Sequence, residues 1–320
     1  MKTAVITLAH GRHAHLAAQQ QALHASTVRP GDYLVVAMDD PEIPPPHPDV
    51  AGTVLRVDST GGNLPLARAR NRGAETALGR GAELLVFLDV DCLPAPELLS
   101  GYEQAARDPA GAGRLLCGPV TYLDPPGADG YDLSGLARLD NPHPVRPAPE
   151  PGTVVPDDSP DLFWSLSFAV TAETWRRIGG FCEDYTGYGG EDTDFARLAR
   201  RSGVGLAWVG AARAYHQWHP TEDPPVQHLA DIVRNANLFY ERWGAWPMGG
   251  WLTAFRQRGL IRGGTGAERC ELAEDVPDRH RGAPGQHPPQ FPERMARFAD
   301  PRPGIGNSAG ETLSQRRPGS

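Results

Sequence analysis

Apolar residues along this chain gather in short unbroken runs separated by amphipathic stretches. TAVITLA (Thr3–Ala9) stops at the polar HGRH, and its β-branched residues predict a buried strand. DYLVVAMDD (Asp32–Asp40), TVLRV (Thr53–Val57), LLVFL (Leu84–Leu88), RLLCGPVTYL (Arg114–Leu123) and GLAWVG read the same way. Between them, residues 13–27, the Ala/Arg-rich 64–82 and APELLSGYEQAAR have helical character. FWSLSFAVTAETWRRIGGF (Phe163–Phe181) predicts a strand and then a helix. In VQHLADIVRNANLFYERWG, positions Val226, Leu229, Ile232, Val233, Ala236, Phe239 and Trp243 recur at three- and four-residue steps, which predicts a long amphipathic helix. Strands alternating with helices, the strands apolar on both faces, predict a parallel α/β sheet. Ligands bind such sheets outside the carboxyl ends of the strands. The HGR segment, Asp39, Asp89 and Asp91 all fall at strand ends, on that edge.

Residues 124–160 are rich in Pro, Gly and Asp and predict a long irregular loop, of the kind used as a lid or binding loop. Beyond about 262 the periodicity fades into Gly, Pro and Arg. The expected organisation is a domain over 1–262, divided into a nucleotide-binding half (1–123) and an acceptor and catalytic half (124–262), with a low-order tail over 263–320.

Composition narrows the class. The 320 residues are 40% hydrophobic and 22% charged, with a formal net charge of −8. An acidic chain is a poor sequence-independent binder of nucleic acid. The N-terminus turns polar too early for a signal peptide, and no apolar run is long enough to span a bilayer. The expected location is the cytoplasm, with membrane contact at most peripheral. Cys92, Cys117, Cys182 and Cys270 show no metal-ligand spacing and read as free thiols.

Three constellations carry candidate chemistry. LDVD places Asp89 and Asp91 at a strand end. Two such acids serve either as a solvated turn or helix cap, or as a site for a hard cation with room left for phosphate oxygens. In the second reading Asp91 meets the cation and Asp89 accepts from a ribose. GYGGEDTDFARLARR starts a helix with Glu191 and Asp192. Acids are favoured there by the macrodipole, but the preceding glycines suggest a close approach to the backbone, and paired acids suit general-base work on a hydroxyl. RAYHQWHP presents His216, either a structural hydrogen-bonder or a ligand. The HxxH spacing with His219 lacks further ligands of matching kind nearby, so a structural zinc site is not expected. HGRHAH, after the first strand, suits nucleotide contact better than zinc.

The order LDVD, then GGFCEDYTGYGGEDTDF, then AYHQ resembles the metal-dependent family 2 glycosyltransferases of the GT-A fold, over roughly residues 3–245. It is most similar to those with a galactosyltransferase-like C-terminal segment, such as β-1,4-galactosyltransferases and bacterial chondroitin polymerases. The resemblance implies a Rossmann-like α/β/α fold with a mostly parallel central sheet. It implies a nucleotide-sugar donor, UDP-linked, a glycan, lipid or small-molecule acceptor, and Mn2+ or Mg2+ as cofactor. It assigns Ala9, His10 and Arg12 to the nucleotide loop, Asp39 to the base, and Arg70 and Asp89 to the donor. Asp91 and His216 become metal ligands. Asp192 becomes the catalytic base of an inverting transfer, and Glu191 the neighbouring acid that holds acceptor or donor hydroxyls. Tyr188, Gly189, Gly190 and Glu191 lie on the acceptor side; Tyr188 stands where the galactosyltransferases carry a tryptophan, and HGR departs from the usual Asn-Arg. Two alternatives accompany this reading. A nucleotidyltransferase is disfavoured because the first loop has neither a glycine run nor a lysine. A non-catalytic sugar-nucleotide or glycan-binding protein is disfavoured by the intact acids and histidine.

Overall fold

A computed structural model describes residues 1–59 and 62–276. The first apolar run is β1 (Thr3–Ala9), buried throughout. It is followed by α1 (His13–His24), β2 (Asp32–Met38), β3 (Gly52–Val57), α2 (Leu66–Gly79) and β4 (Leu84–Leu88). Then come β5 (Cys92–Pro94), α3 (Leu98–Arg107), β6 (Leu115–Cys117), β7 (Val120–Tyr122), β8 (Val154–Asp157), β9 (Ser167–Thr171), α4 (Ala172–Ile178) and α5 (Glu191–Arg201). The remaining elements are β10 (Leu206–Val209), β11 (Ala214–His216), α6 (Leu229–Trp243), α7 (Gly249–Gln257), β12 (Ile261–Arg262) and β13 (Glu271–Leu272).

The main sheet has eight strands in the order β3-β2-β1-β4-β9-β6-β10-β8. β1 to β4 are mutually parallel, β6 and β10 are parallel to each other, and β9 and β8 run antiparallel to their neighbours. Alternate residues feed opposite faces. Ala4, Ile6, Leu34, Val36, Leu85 and Phe87 pack with residues of α2, α4 and α5. Val5, Tyr33, Val35, Leu84 and Val86 pack with residues of α1 and α3. A sheet buried on both faces demands apolar residues at every position, which is why its strands read as unbroken runs. Phe87 and Phe168, cross-strand partners in β4 and β9, stack at 4.6 Å.

Three sequence expectations are revised. The run Arg114–Leu123 is two strands: β6 enters the main sheet, and β7 leaves it after Gly118-Pro119 to join a three-stranded sheet ordered β5-β11-β7. The 124–160 loop contains a 3-10 turn (Leu133–Leu139) and an edge strand, β8. Residues 263–276 are not a low-order tail: β12 and β13 pair, and Cys270 and Val276 are buried with Leu229, Ile232, Leu252 and Phe255. Asn237 of α6 holds this segment by donating to Cys270 O (2.8 Å) and accepting from Cys270 N (2.9 Å). The rest of the expected tail, 277–320, lies outside the described residues. Among the described residues no helix is long and apolar enough to cross a membrane.

Candidate active site

The turn after β4 carries Asp89 and Asp91, and a buried glutamine fixes it. Gln19 of α1 donates through Nε2 to Asp89 O (2.7 Å) and Cys92 O (2.9 Å), while its Oε1 accepts from Thr7 (2.9 Å) and Tyr33 (2.9 Å). With every polar atom satisfied, the fully buried side chain holds the turn rigidly. β5 then pairs antiparallel with β11 in a register that sets His216 opposite Cys92, and Gln217 N donates to Asp91 O (2.7 Å). This ladder brings the two halves of the chain together.

Asp91 Oδ1 lies 3.4 Å from His216 Nε2, and Asp91 Oδ2 lies 3.5 Å from His219 Nε2 and 3.9 Å from the Arg12 guanidinium. The candidate ligand atoms of Asp91, His216 and His219 all fall within 4.8 Å of one another. Burial would raise the Asp91 carboxyl, but His216, His219 and Arg12 outweigh it and hold the group well below the usual carboxylate range. Burial lowers His216, and Asp91 opposes that shift. One carboxylate and two imidazoles gathered in this way are donors of the kind a divalent transition-metal cation takes. The donor set therefore fits a cation.

A second cluster adjoins the first through Asp89. Arg70, almost fully buried, is 3.4 Å from Asp89 Oδ1 and 3.1 Å from Glu191 Oε1, and its guanidinium stacks 5.2 Å over the Phe181 ring. Burial pushes the Asp89 carboxyl up to about 7, with Asp91 and Glu191 adding to it and Arg70 opposing. Glu191 is buried, and its Oε2 has no hydrogen-bond partner among the described residues. Asp192, next along α5, is partly exposed and accepts only from Thr193, at 2.6 Å to N and 3.3 Å to Oγ1. Burial, then Glu191, raises its carboxyl to about 6.

The glycines before α5 serve the protein's own packing. Gly187 (φ 69°) and Gly189 (φ 92°) take left-handed backbone, and a Cβ at either would strike the Asp231 carboxylate or Met248 Sδ. Asp194 is structural as well: it is fully buried and accepts from Arg242 (2.7 Å), Trp243 (2.6 Å) and Tyr185 (3.2 Å).

The other expected residues spread along the same edge. Ala9 is buried at the end of β1, and His10 Nδ1 contacts Met38 O at 2.7 Å. Arg12 caps α1 in the left-handed region (φ 52°). Asp39 (φ 46°) is exposed and accepts from Ser59 N at 2.7 Å. Tyr188 is 39% exposed and stacks 4.4 Å from His228, with Trp251 at 5.9 Å. Burial raises its phenol above the usual range, and the charges of Asp192 and Glu191 add to that shift. Sequence reasoning missed Gln19, His228 and Trp251. It also missed Asp40, whose Oδ2 accepts from Gly11 N (2.8 Å) and contacts His13 (2.9 Å), tying down the HGRH loop. For His219, the HxxH spacing was the available signal. A separate hollow of about 660 Å³, lined by Arg197, Arg200, Arg201, Arg242 and Trp243, contains none of the acids described above.

Comparison with known proteins bears on the fold and on what the chain is similar to. A family model described as the N-terminal domain of galactosyltransferase matches residues 157–220, the segment holding Glu191, Asp192, His216 and His219. The S. aureus TarS 1-349 structure in complex with UDP-GlcNAc superposes with a TM-score of 0.51 at 14% identity, covering 75% of this chain and 71% of that one. The chain has the GT-A fold of glycosyltransferases. Validoxylamine A glucosyltransferase of Streptomyces hygroscopicus subsp. jinggangensis (strain 5008) is 29% identical over 207 residues, covering 55% of this chain and 44% of the relative. The subsp. limoneus protein of the same name is 27% identical, with 41% of it covered. This GT-A chain is thus similar to glycosyltransferases over part of its length, and it spans less than half the length of these curated relatives.

Proposed function

We propose that the chain is an inverting, divalent-cation-dependent glycosyltransferase that moves a sugar from a nucleoside-diphosphate sugar to an acceptor hydroxyl. The observation that carries this reading is the convergence of Asp91, His216 and His219, joined through Asp89, Arg70 and Glu191 to the open carboxylate of Asp192. Asp91, His216 and His219 would hold the cation, which when bound neutralises the diphosphate as it departs. Two imidazoles with one carboxylate make a borderline-soft set, which favours Mn2+ over Mg2+. Arg12, beside Asp91, faces the phosphates. Ala9, His10 and Asp39 line the nucleotide side, and the partly exposed Asp89 accepts from the donor's hydroxyls.

Asp192 takes the proton from the acceptor hydroxyl as it attacks the anomeric carbon. A single base acting opposite the leaving group inverts the configuration. Glu191 cannot fill that role as readily, because Arg70 holds one of its oxygens and both are buried. Tyr188, His228 and Trp251 offer an aromatic face for a sugar-like acceptor. A UDP donor agrees with the UDP-GlcNAc of the TarS complex, which occupies the same fold. The four free thiols suit the cytoplasm, where we place the protein.

The test is a thermal-shift panel of UDP- and GDP-sugars with and without Mn2+, followed by product analysis. A Mn2+-dependent rise in melting temperature with one donor class is expected. No shift with any nucleotide sugar would count against the reading.

A further inference from the structure

Away from the acids, three other potential ligands converge at the far end of α1. His24 closes that helix, and His47 and Asp49 come from the proline-rich connection between β2 and β3. Their candidate ligand atoms all lie within 4.8 Å of one another. The Asp49 carboxylate is 3.9 Å from His24 Nδ1 and 3.7 Å from His47 Nδ1, and the two rings sit 5.6 Å apart. Both carboxylate distances exceed a hydrogen bond, so neither ring is hydrogen-bonded to the Asp49 carboxylate. His24 Nδ1 is nevertheless shielded from solvent and has no hydrogen-bond partner among the described residues. A sequestered imidazole nitrogen aimed at a carboxylate without bonding it is unexplained by packing alone.

The loop is built to hold this arrangement. His47 N donates to Gln20 Oε1 of α1 (3.0 Å), Asp49 O accepts from Arg29 (3.3 Å), and Val50 N donates to His47 O (2.8 Å). Ile43 and Val50, on either side, are buried. Asp49 N donates to His47 Nδ1 at 3.2 Å, which ties the His47 ring to the Asp49 backbone. The three side chains are thus carried on anchored backbone, and they are partly open to solvent.

We infer that His24, His47 and Asp49 form a second divalent-cation site, selective for Zn2+ or a similar borderline ion. Two imidazoles and a carboxylate are a set that zinc takes at about 2.0–2.2 Å with one position left for water. Around one tetrahedral ion at that radius, ligand atoms stand roughly 3.3 Å apart, so the observed spacing, within 4.8 Å, has to tighten when the ion binds. The cation takes over the His47 lone pair from the Asp49 amide. It clips the connection carrying Pro44, Pro45, Pro46 and Pro48 to α1, and so steadies the strand end that bears Asp39 and Asp40.

The experiment is Zn2+ titration of the untagged full chain by calorimetry, with melting temperature followed in parallel. An Asp91→Asn/His216→Ala background removes the site by the acids. That background binds one Zn2+ and gains melting temperature with it. Adding His47→Ala or Asp49→Asn weakens that binding on the order of 100-fold and abolishes the gain. His47→Ala alone keeps UDP-dependent Mn2+ binding, which separates failure here from failure of the transferase reading. Absence of Zn2+ binding in the background, or binding that survives both further substitutions undiminished, overturns the inference.

Discussion

Arg70 donates to Glu191 across 3.1 Å, and the contact is closed to water on both sides: the Arg70 side chain is 4% exposed and that of Glu191 8%. A guanidinium so placed is engaged by two carboxylates of the protein itself. It balances Asp89 and Glu191 and sets the distance between the strand that carries one acid and the helix that carries the other.

Removing that cation leaves two carboxylates in a poorly solvated space. Arg70→Met should lower the unfolding free energy by about 3–5 kcal/mol, measured by urea denaturation at pH 7.5. Arg70→Lys should recover part of it. A cost below about 1 kcal/mol would mean that the bridge is not balancing buried charge.

On the proposed reading, in which Asp192 is the base, its raised carboxyl sets the pH dependence. A base must be ionised, so kcat/KM should fall about tenfold per unit as pH drops below about 6. The stability effect has the opposite sign. With its folded pKa above the ordinary aspartate value, Asp192 binds an extra proton in the folded state across that window. Stability therefore falls as pH rises toward 6 and stays lower above it. Asp192→Asn should abolish transfer yet melt higher than the parent at pH 8, with the two converging near about pH 4. Equal melting temperatures at pH 8 would argue that the carboxylate is not desolvated.

Asp194, two residues along, should behave in the reverse way. It is fully buried and accepts from three side chains. Asp194→Ala should cost about 3 kcal/mol, the low end for a buried pair because Arg242 is a third exposed. Urea denaturation of both variants separates the acid that builds the helix junction from the acid left open for chemistry.

Gln19 predicts an effect at a distance. It touches no candidate ligand side chain, yet it holds the carbonyls of Asp89 and Cys92. Gln19→Leu should weaken Mn2+ binding on the order of 10- to 100-fold, read by titration, with the far-ultraviolet circular dichroism retained. Unchanged affinity would show that the turn holds its shape without that side chain.

These residues show what a sequence reveals and what it conceals. The central strands were legible because a sheet covered on both faces leaves an unbroken apolar run, and LDVD marks where one of them stops. The β5–β11 ladder was not legible: CLP and AYH are too short for any periodicity, and their pairing is set by tertiary packing. Residues 263–276 escaped for a similar reason, since Asn237 holds Cys270 through backbone bonds that leave no apolar pattern. At the site, Asp91 and His216 were recognisable by motif. The position of Arg70 was not, because a buried guanidinium and a solvent-facing one look alike in sequence. The glycines before α5 signalled close approach correctly, but what approaches is Asp231 and Met248.

All of this turns on whether Asp91, His216 and His219 hold one cation beside a diphosphate. Binding of Mn2+ in the presence and absence of UDP, followed by the electron paramagnetic resonance of free Mn2+, reads that out without any acceptor. The parent chain should bind one Mn2+ that UDP tightens. Asp91→Asn and His216→Ala should lose the UDP-dependent binding, and His219→Ala should weaken it by at least about tenfold. An Asp91→Asn chain that still binds Mn2+ with UDP as tightly as the parent would contradict the assignment.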